Sequence, residues 1–195
     1  KKSGCVFISY GCESGDQDII NFIGKSITLK QVEDAINLTN KVGIKNSTNF
    51  IIGHPTETYK KAISTLKFAE KLNTGFVNVY NLIPYPGTKL WEWIDKNAKW
   101  LYSQQEILEN IGSRDLKPVF ETPEFTKEER IKALKKGFAL YERTVLQFRL
   151  GKVFGYIVYI ISRNRTLFHF GRKLALSNKF GFYIYNLLSY KSRKT

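Results

Sequence analysis

The sequence predicts an α/β fold built on parallel strands, and three observations carry that prediction. Short runs that are apolar on both faces alternate with longer runs whose apolar residues recur at helical spacing. Each short run stops at a turn rich in glycine or proline. The resulting order is strand, helix, strand, helix, strand, which is the order of parallel strands joined by helical crossovers, in a layer or a barrel.

The first strand is Cys5-Val-Phe-Ile-Ser-Tyr10, β-branched and aromatic, ending at Gly11. A short helix follows over residues 16–23. Thr28-Leu-Lys-Gln31 has the form of a capping box, threonine three residues before glutamine. It opens a helix that turns Val32, Ala35, Ile36 and Leu38 inward and stops at Gly43. Thr48-Asn-Phe-Ile-Ile52 is the second strand, ended by Gly53-His-Pro55. From about Thr58 a helix places Ala62, Ile63, Leu66, Ala69 and Leu72 on one face. The third strand, residues 76–83, ends at Pro84-Tyr-Pro-Gly87. Beyond it, residues 90–100 and 104–111 form short helices. Residues 126–150 form a long amphipathic helix with Ile131, Leu134, Phe138, Leu140, Tyr141 and Val145 on its apolar side.

Composition excludes several classes. At 43% hydrophobic and 14% aromatic residues the chain can bury a core and is not disordered as a whole. Two cysteines in 195 residues make no disulfide framework. No run reaches the roughly 18–20 apolar residues that span a bilayer. The chain contains no methionine, and its first residues turn apolar at once. Three strands do not close a barrel either. We therefore expect a piece of a longer protein whose remaining strands lie upstream.

Ligands of parallel α/β folds bind at the carboxyl ends of the strands. Three such ends are visible: Gly11-Cys-Glu-Ser-Gly-Asp-Gln17, Gly53-His-Pro-Thr-Glu57 preceded by Asn49, and Asn81 followed by Pro84-Tyr-Pro-Gly-Thr88. Each has a structural reading too, since glycine and proline punctuate turns and Glu57 suits a helix N-terminus.

Together these segments carry a resemblance. Ile8-Ser-Tyr-Gly-Cys-Glu-Ser-Gly-Asp-Gln17, with Ile23-Gly-Lys25 and Thr28, resembles the fourth-strand region of radical S-adenosylmethionine (radical SAM) enzymes. Asn49-Phe-Ile-Ile-Gly-His-Pro-Thr-Glu-Thr58 resembles the fifth strand of that fold, and Asn81-Leu-Ile-Pro-Tyr-Pro-Gly-Thr88 the sixth. The match extends over about residues 4–90 and is most similar to the branch in which a cobalamin-binding domain often precedes the barrel. It implies the C-terminal part of a partial (β/α)6 TIM-like barrel over residues 1–100 and a helical, basic extension over 101–195. It also implies cleavage of SAM, with a [4Fe–4S] cluster, to a 5′-deoxyadenosyl radical. In the cobalamin branch a methyl group can pass through cobalamin to an unactivated carbon.

Residue by residue, the resemblance places Glu13 against the amino group or ribose of SAM and Lys25 against its methionine carboxylate. Asn49 would reach the ribose hydroxyls. Ile51 to Gly53 would supply backbone and apolar contact to the adenine, and Ser14 a supporting or direct polar contact. Lys25 also reads as a solvated helix-end lysine, and Asn49 as a cap on a strand edge. His54 stands where the family has an apolar residue, facing substrate or solvent, and is assigned no catalytic role. No catalytic residue is named. The three closely spaced cysteines of the cluster motif are missing. Cys5 and Cys12 read as small buried hydrophobes, so we expect the cluster ligands upstream, no metal ligand here, and no catalysis by this chain alone. An early Gly-Gly-Glu-type contact to the SAM amino group is absent as well.

Charge is concentrated at one end. Up to Glu142 there are 20 basic and 17 acidic residues; over residues 143–195 there are 11 basic and no acidic ones, interleaved with Phe and Tyr. A helical cap on the barrel is the leading reading, ahead of a membrane-surface element and then a nucleic-acid surface. We thus expect a cytoplasmic protein acting on a small-molecule or lipid-like substrate, with peripheral membrane contact through 143–195 as the reading ranked behind the cap. Two alternatives stand beside the enzyme reading. One is a non-catalytic basic module binding membrane or RNA. The other is a tRNA methylthiotransferase, whose C-terminal RNA-binding module is a small β-barrel that this tail does not resemble.

Overall fold

A computed structural model of the protein describes residues 1–109 and 117–164. Its centre is a three-stranded parallel sheet in the order β1 (Phe7–Glu13), β2 (Lys45–Ile52), β3 (Phe76–Asn81). Between β1 and β2 lie α1 (Gln17–Phe22) and α2 (Leu29–Lys41); α3 (Tyr59–Lys71) joins β2 to β3. The mixed α/β class with parallel strands is therefore as the sequence predicts. Both α2 and α3 start where the sequence places them. Thr28 and Gln31 form the reciprocal capping box, and the Thr58 side chain accepts from the Lys61 N–H.

The helices cover one face of the sheet. Phe50, Ile52 and Val77 from the strands meet Val32 and Ile36 of α2 and Ala62, Leu66 and Ala69 of α3 in one buried cluster. That cluster also takes Phe125 and, from α6 (Lys127–Leu150), Ala133, Leu134 and Leu140. One residue of α2 departs from expectation. Leu38 is 63% exposed, and Thr39 turns inward instead, because Val32, Ile36 and Thr39 fall on one side at the helical period. The buried Thr39 hydroxyl is satisfied by donating to the Ala35 carbonyl and by the Tyr10 hydroxyl.

A smaller cluster lies past β3. Ile94 of α4 (Lys89–Asn97) and Ile107 of α5 (Gln104–Glu109) pack with Val119 and Phe120. There β4 (Lys99–Trp100) pairs antiparallel with β5 (Phe120–Glu121). Trp100, expected at the end of a helix, is thus a strand residue, its ring tilted against that of Trp91 with centroids 4.5 Å apart. Residues 1–144 form one compact unit and residues from 145 onward a second. Residues 101–144, counted with the extension in the sequence reading, belong to the unit that holds the sheet. The second unit contains the end of α6 and α7 (Lys152–Arg163). The basic and aromatic run beyond residue 164, like Ile111, lies outside the described residues.

Candidate functional site

The strands, expected to be apolar on both faces, are not: on the face the helices leave uncovered, polar side chains bridge all three strands because that face needs no apolar partner. Register sets Ser9 beside Ser47, and Gly11, Asn49 and Asn78 in one row. The Ser9 and Ser47 hydroxyls are 3.0 Å apart. Asn49 Nδ2 donates to Ser9 Oγ at 2.8 Å and to the Tyr10 carbonyl at 3.0 Å, while its Oδ1 accepts from Asn78 Nδ2 at 2.9 Å. An amide held on both sides has one orientation. Ile51 lies two residues farther along β2 and is half-buried.

At the carboxyl end of β1 the ladder is irregular. Gly11 pairs with Asn49 but Glu13 pairs with Phe50, so Cys12 is an extra residue in the strand, a bulge. The strand therefore runs past Gly11, where the sequence reading ended it. Glu13 has φ +64, in the left-handed region that costs a non-glycine residue about 1 kcal/mol or more. Its carboxylate lies over Gly11, where a Cβ would come within 2.8 Å of Oε1 and 3.3 Å of Lys25 Nζ. Glycine at position 11 thus makes room for an ion pair: Lys25 Nζ donates to Glu13 Oε1 at 2.9 Å and also to the Gly11 carbonyl. Both side chains of the pair stay a quarter to a third exposed. Lys25 therefore holds an ion pair at this strand end while staying a third exposed.

Ser14 is fully buried; its hydroxyl is 3.0 Å from Thr65 Oγ1 and accepts from the Asp16 N–H. It ties the β1 exit to α3. Gly15 lets that helix approach, since a Cβ there would sit 2.8 Å from Thr65 Cα. The β2 exit is built around Gly53, whose φ of +110 favours glycine. Gly53 and His54 both donate backbone N–H groups to Glu57 Oε2, at 2.6 and 3.2 Å. The Gly53 carbonyl accepts from Arg130 Nη1 at 3.1 Å. His54, expected to face substrate or solvent, is instead buried beside the Glu13 carbonyl, and burial lowers its pKa to about 4. Burial raises Glu57 to about 7 against the pull of its two N–H donors and of Arg130. Asn81 holds the third exit by donating to the Lys117 carbonyl at 2.8 Å.

Glu13, Lys25 and Asn49 thus share one open sheet face near the strand ends, whereas Ser14 and the Gly53 backbone groups are engaged within the protein. Two residues central to this arrangement were not singled out from sequence. Glu57 read as a helix-start acid, although its place four residues after Gly53 is the signal. Arg130 was given no role from sequence, although it falls in phase with Ala133, Leu134 and Gly137 on the buried side of α6.

The donor sets decide what the site can hold. An ammonium and a carboxylate side by side at a strand end are complementary to the amino-acid end of SAM, so these residues fit that group. They do not fit a [4Fe–4S] cluster. Cys5 precedes β1 and Cys12 lies near its far end; burial drives the Cys12 thiol up to about 12, away from the thiolate that iron requires. Among the described residues no three His, Cys, Asp or Glu side chains gather as a metal site.

Comparison with known proteins bears on the same segment. The radical SAM superfamily profile matches residues 1–69, from β1 into α3. The uncharacterized methyltransferase PH0819 of Pyrococcus horikoshii is 36% identical over 138 residues, 71% of this chain and 29% of that protein. The anaerobic magnesium-protoporphyrin IX monomethyl ester cyclase of Rubrivivax gelatinosus is 29% identical over 92 residues, 47% of this chain and 17% of the cyclase. The heme chaperone HemW of Bacillus subtilis is 26% identical over 110 residues, 56% of this chain and 29% of HemW. The chain spans less than a third of the length of each of these relatives. The parallel sheet and these similarities agree: the chain belongs to the radical SAM superfamily, a family of enzymes.

Proposed function

We propose that this chain is the C-terminal part of a partial (β/α)6 barrel in a radical SAM enzyme, and that its open sheet face lines the SAM site. The observation that carries the reading is the Glu13–Lys25 pair, opposite charges 2.9 Å apart at the end of β1. SAM held there by Glu13, Lys25 and Asn49 would supply 5′-deoxyadenosyl radical chemistry for hydrogen abstraction. The chain's own residues bind and orient. Glu13 accepts from the ammonium of the methionyl end and Lys25 donates to its carboxylate. Asn49, locked by Ser9 and Asn78, presents a fixed polar edge toward the ribose, and Ile51 an apolar surface toward the adenine. Cys5 and Cys12 do not supply the ligands of a [4Fe–4S] cluster.

Within the superfamily we place the chain in the cobalamin-dependent branch, carrying out methyl transfer or related functionalisation of an unactivated carbon. Support comes from the resemblance over the three strand exits and from the methyltransferase among its relatives. The test uses the complete protein that carries this chain, reconstituted anaerobically with iron, sulfide and a reductant. It should release 5′-deoxyadenosine from SAM, and Glu13→Gln or Lys25→Met should raise the KM for SAM about tenfold or more, as loss of a charge-assisted hydrogen bond requires. Methyl-labelled SAM and assay of bound cobalamin test the branch. A reconstituted protein that makes no 5′-deoxyadenosine would sink the enzyme reading in favour of a binding module.

A second reading concerns residues 143–195, where we propose peripheral contact with an anionic membrane surface. No helix among the described residues is long and apolar enough to cross a membrane. What supports surface contact is α7, which exposes Val153, Phe154, Tyr156, Ile157 and Ile160 within a segment carrying 11 basic and no acidic residues.

A further inference from the structure

Burying a guanidinium is unfavourable unless its donors are engaged. Arg130 is 1% exposed. Its Nε donates to the Phe125 carbonyl at 3.0 Å and its Nη1 to the Gly53 carbonyl at 3.1 Å. The guanidinium lies over two rings, with Cζ 4.3 Å from the centroid of Phe120 and 4.8 Å from that of Phe125. Burial lowers its pKa to about 10, which still leaves it charged at neutral pH. The remaining nitrogen, Nη2, has no partner, and neither do the nearby buried atoms Glu57 Oε1 and His54 Nε2. A cation kept here at such a cost calls for a reason beyond filling the core.

The reason lies in what it grips. Gly53 is held at both of its backbone groups: Glu57 takes the N–H and Arg130 the carbonyl. The two positions are also matched sterically, because a Cβ on residue 53 would stand 2.7 Å from Arg130 Nη1. Position 130 lies 77 residues downstream of position 53, on α6, so the contact ties the β2 exit loop to the helix that closes this unit. The same loop sets His54 beside the Glu13 carbonyl, and so reaches the strained end of β1.

We propose that Arg130 is a positioning residue, which fixes the β2 exit loop, and through it the Glu13 strand end, in the conformation that receives the adenosyl part of SAM. This inference rests on the SAM reading given above. A purely structural role predicts something different. Arg130→Met keeps the packing between Phe120 and Phe125 and removes an incompletely satisfied buried charge, so a core arginine replaced in this way should leave the loop as it was.

The experiment compares the complete protein with its R130M and R130K variants. It measures hydrogen exchange in the peptide covering residues 50–58, affinity for S-adenosylhomocysteine by calorimetry, and thermal melting. R130M should exchange the Gly53 and His54 amides about tenfold faster and bind S-adenosylhomocysteine about tenfold more weakly while still melting cooperatively. R130K, a point charge without the fork that serves Phe125 and Gly53 together, should fall between R130M and the wild type. Unchanged exchange in R130M overturns the proposal. If the wild type binds no S-adenosylhomocysteine while R130M still frees the loop, the positioning role stands and the SAM reading falls. Should R130M not fold, R130Q takes its place with the same expected and overturning results.

Discussion

Glu57 is a buried carboxyl whose protonation the fold controls. Its pKa of about 7, against an ordinary 4.5, means that the folded protein holds a proton that the unfolded chain releases. The stability this group contributes is fully present below about pH 4.5 and is lost as pH rises through 7. His54 has the opposite sign: its pKa is lowered to about 4 from 6.5, so its contribution is present above pH 6.5 and lost as pH falls toward 4. Glu57→Gln keeps an oxygen for the Gly53 and His54 N–H groups and removes the titration. Relative to wild type, the variant should gain on the order of 3 kcal/mol of stability between pH 5 and pH 8. Urea melts at the two pH values check this, and a constant offset between the proteins would show that Glu57 does not carry the shift. At this scale the sequence was partly legible. A carboxylate just after an apolar strand and a lysine twelve residues on are visible as a pattern. That Ser14 and Gly53 are engaged inward is not, because their partners Thr65 and Arg130 are distant in the chain.

At the scale of elements, close approach decides the packing of α6 on β3. Gly137 faces Val79, and a Cβ on it would come 2.5 Å from Val79 Cγ1 and 3.3 Å from Leu66 Cδ2. In an exposed helix, alanine in place of glycine gains up to about 1 kcal/mol. Here we expect Gly137→Ala to destabilise by about 1–3 kcal/mol, because the overlap pushes the helix off the strand. Pairing it with Val79→Ala should recover much of that loss, and a Gly137→Ala protein more stable than wild type in urea would refute the close contact. Local signals place the other elements well. The capping box at Thr28 and the threonine at 58 start α2 and α3 where the sequence does. The errors lie where tertiary structure outweighs local pattern. Glycine at position 11 reads as a stop, yet the ladder with β2 carries the strand on to Glu13 through a bulge. Leu38 reads as core by hydrophobicity, yet helical phase and the Tyr10 hydroxyl select Thr39.

For the whole molecule, the α/β class was legible because strands buried on a helix-covered face and crossover helices leave a periodic signature. The helix α6 was legible as amphipathic through Leu134 and Leu140, but its place in the core beside the sheet was not, because its partners there are distant in the chain. Net charge gives a different kind of information, since it bears on partners and not on fold. The excess over residues 143–195 and the exposed stripe of α7 supply the two attractions that surface helices combine, apolar insertion and anionic headgroups, the latter worth about 1 kcal/mol for each basic residue near the surface. Co-sedimentation of the full chain with phosphatidylcholine vesicles, with and without about a third phosphatidylserine, separates them. We expect binding to the anionic vesicles that falls several-fold between low and high salt. Val153→Glu, at a position 75% exposed, should weaken binding about tenfold with no change in melting temperature. Sedimentation with neither vesicle at low salt rejects the membrane reading. So does a Val153→Glu protein that sediments unchanged but drops from dimer to monomer in light scattering, because the stripe would then be covered by a second copy of the chain.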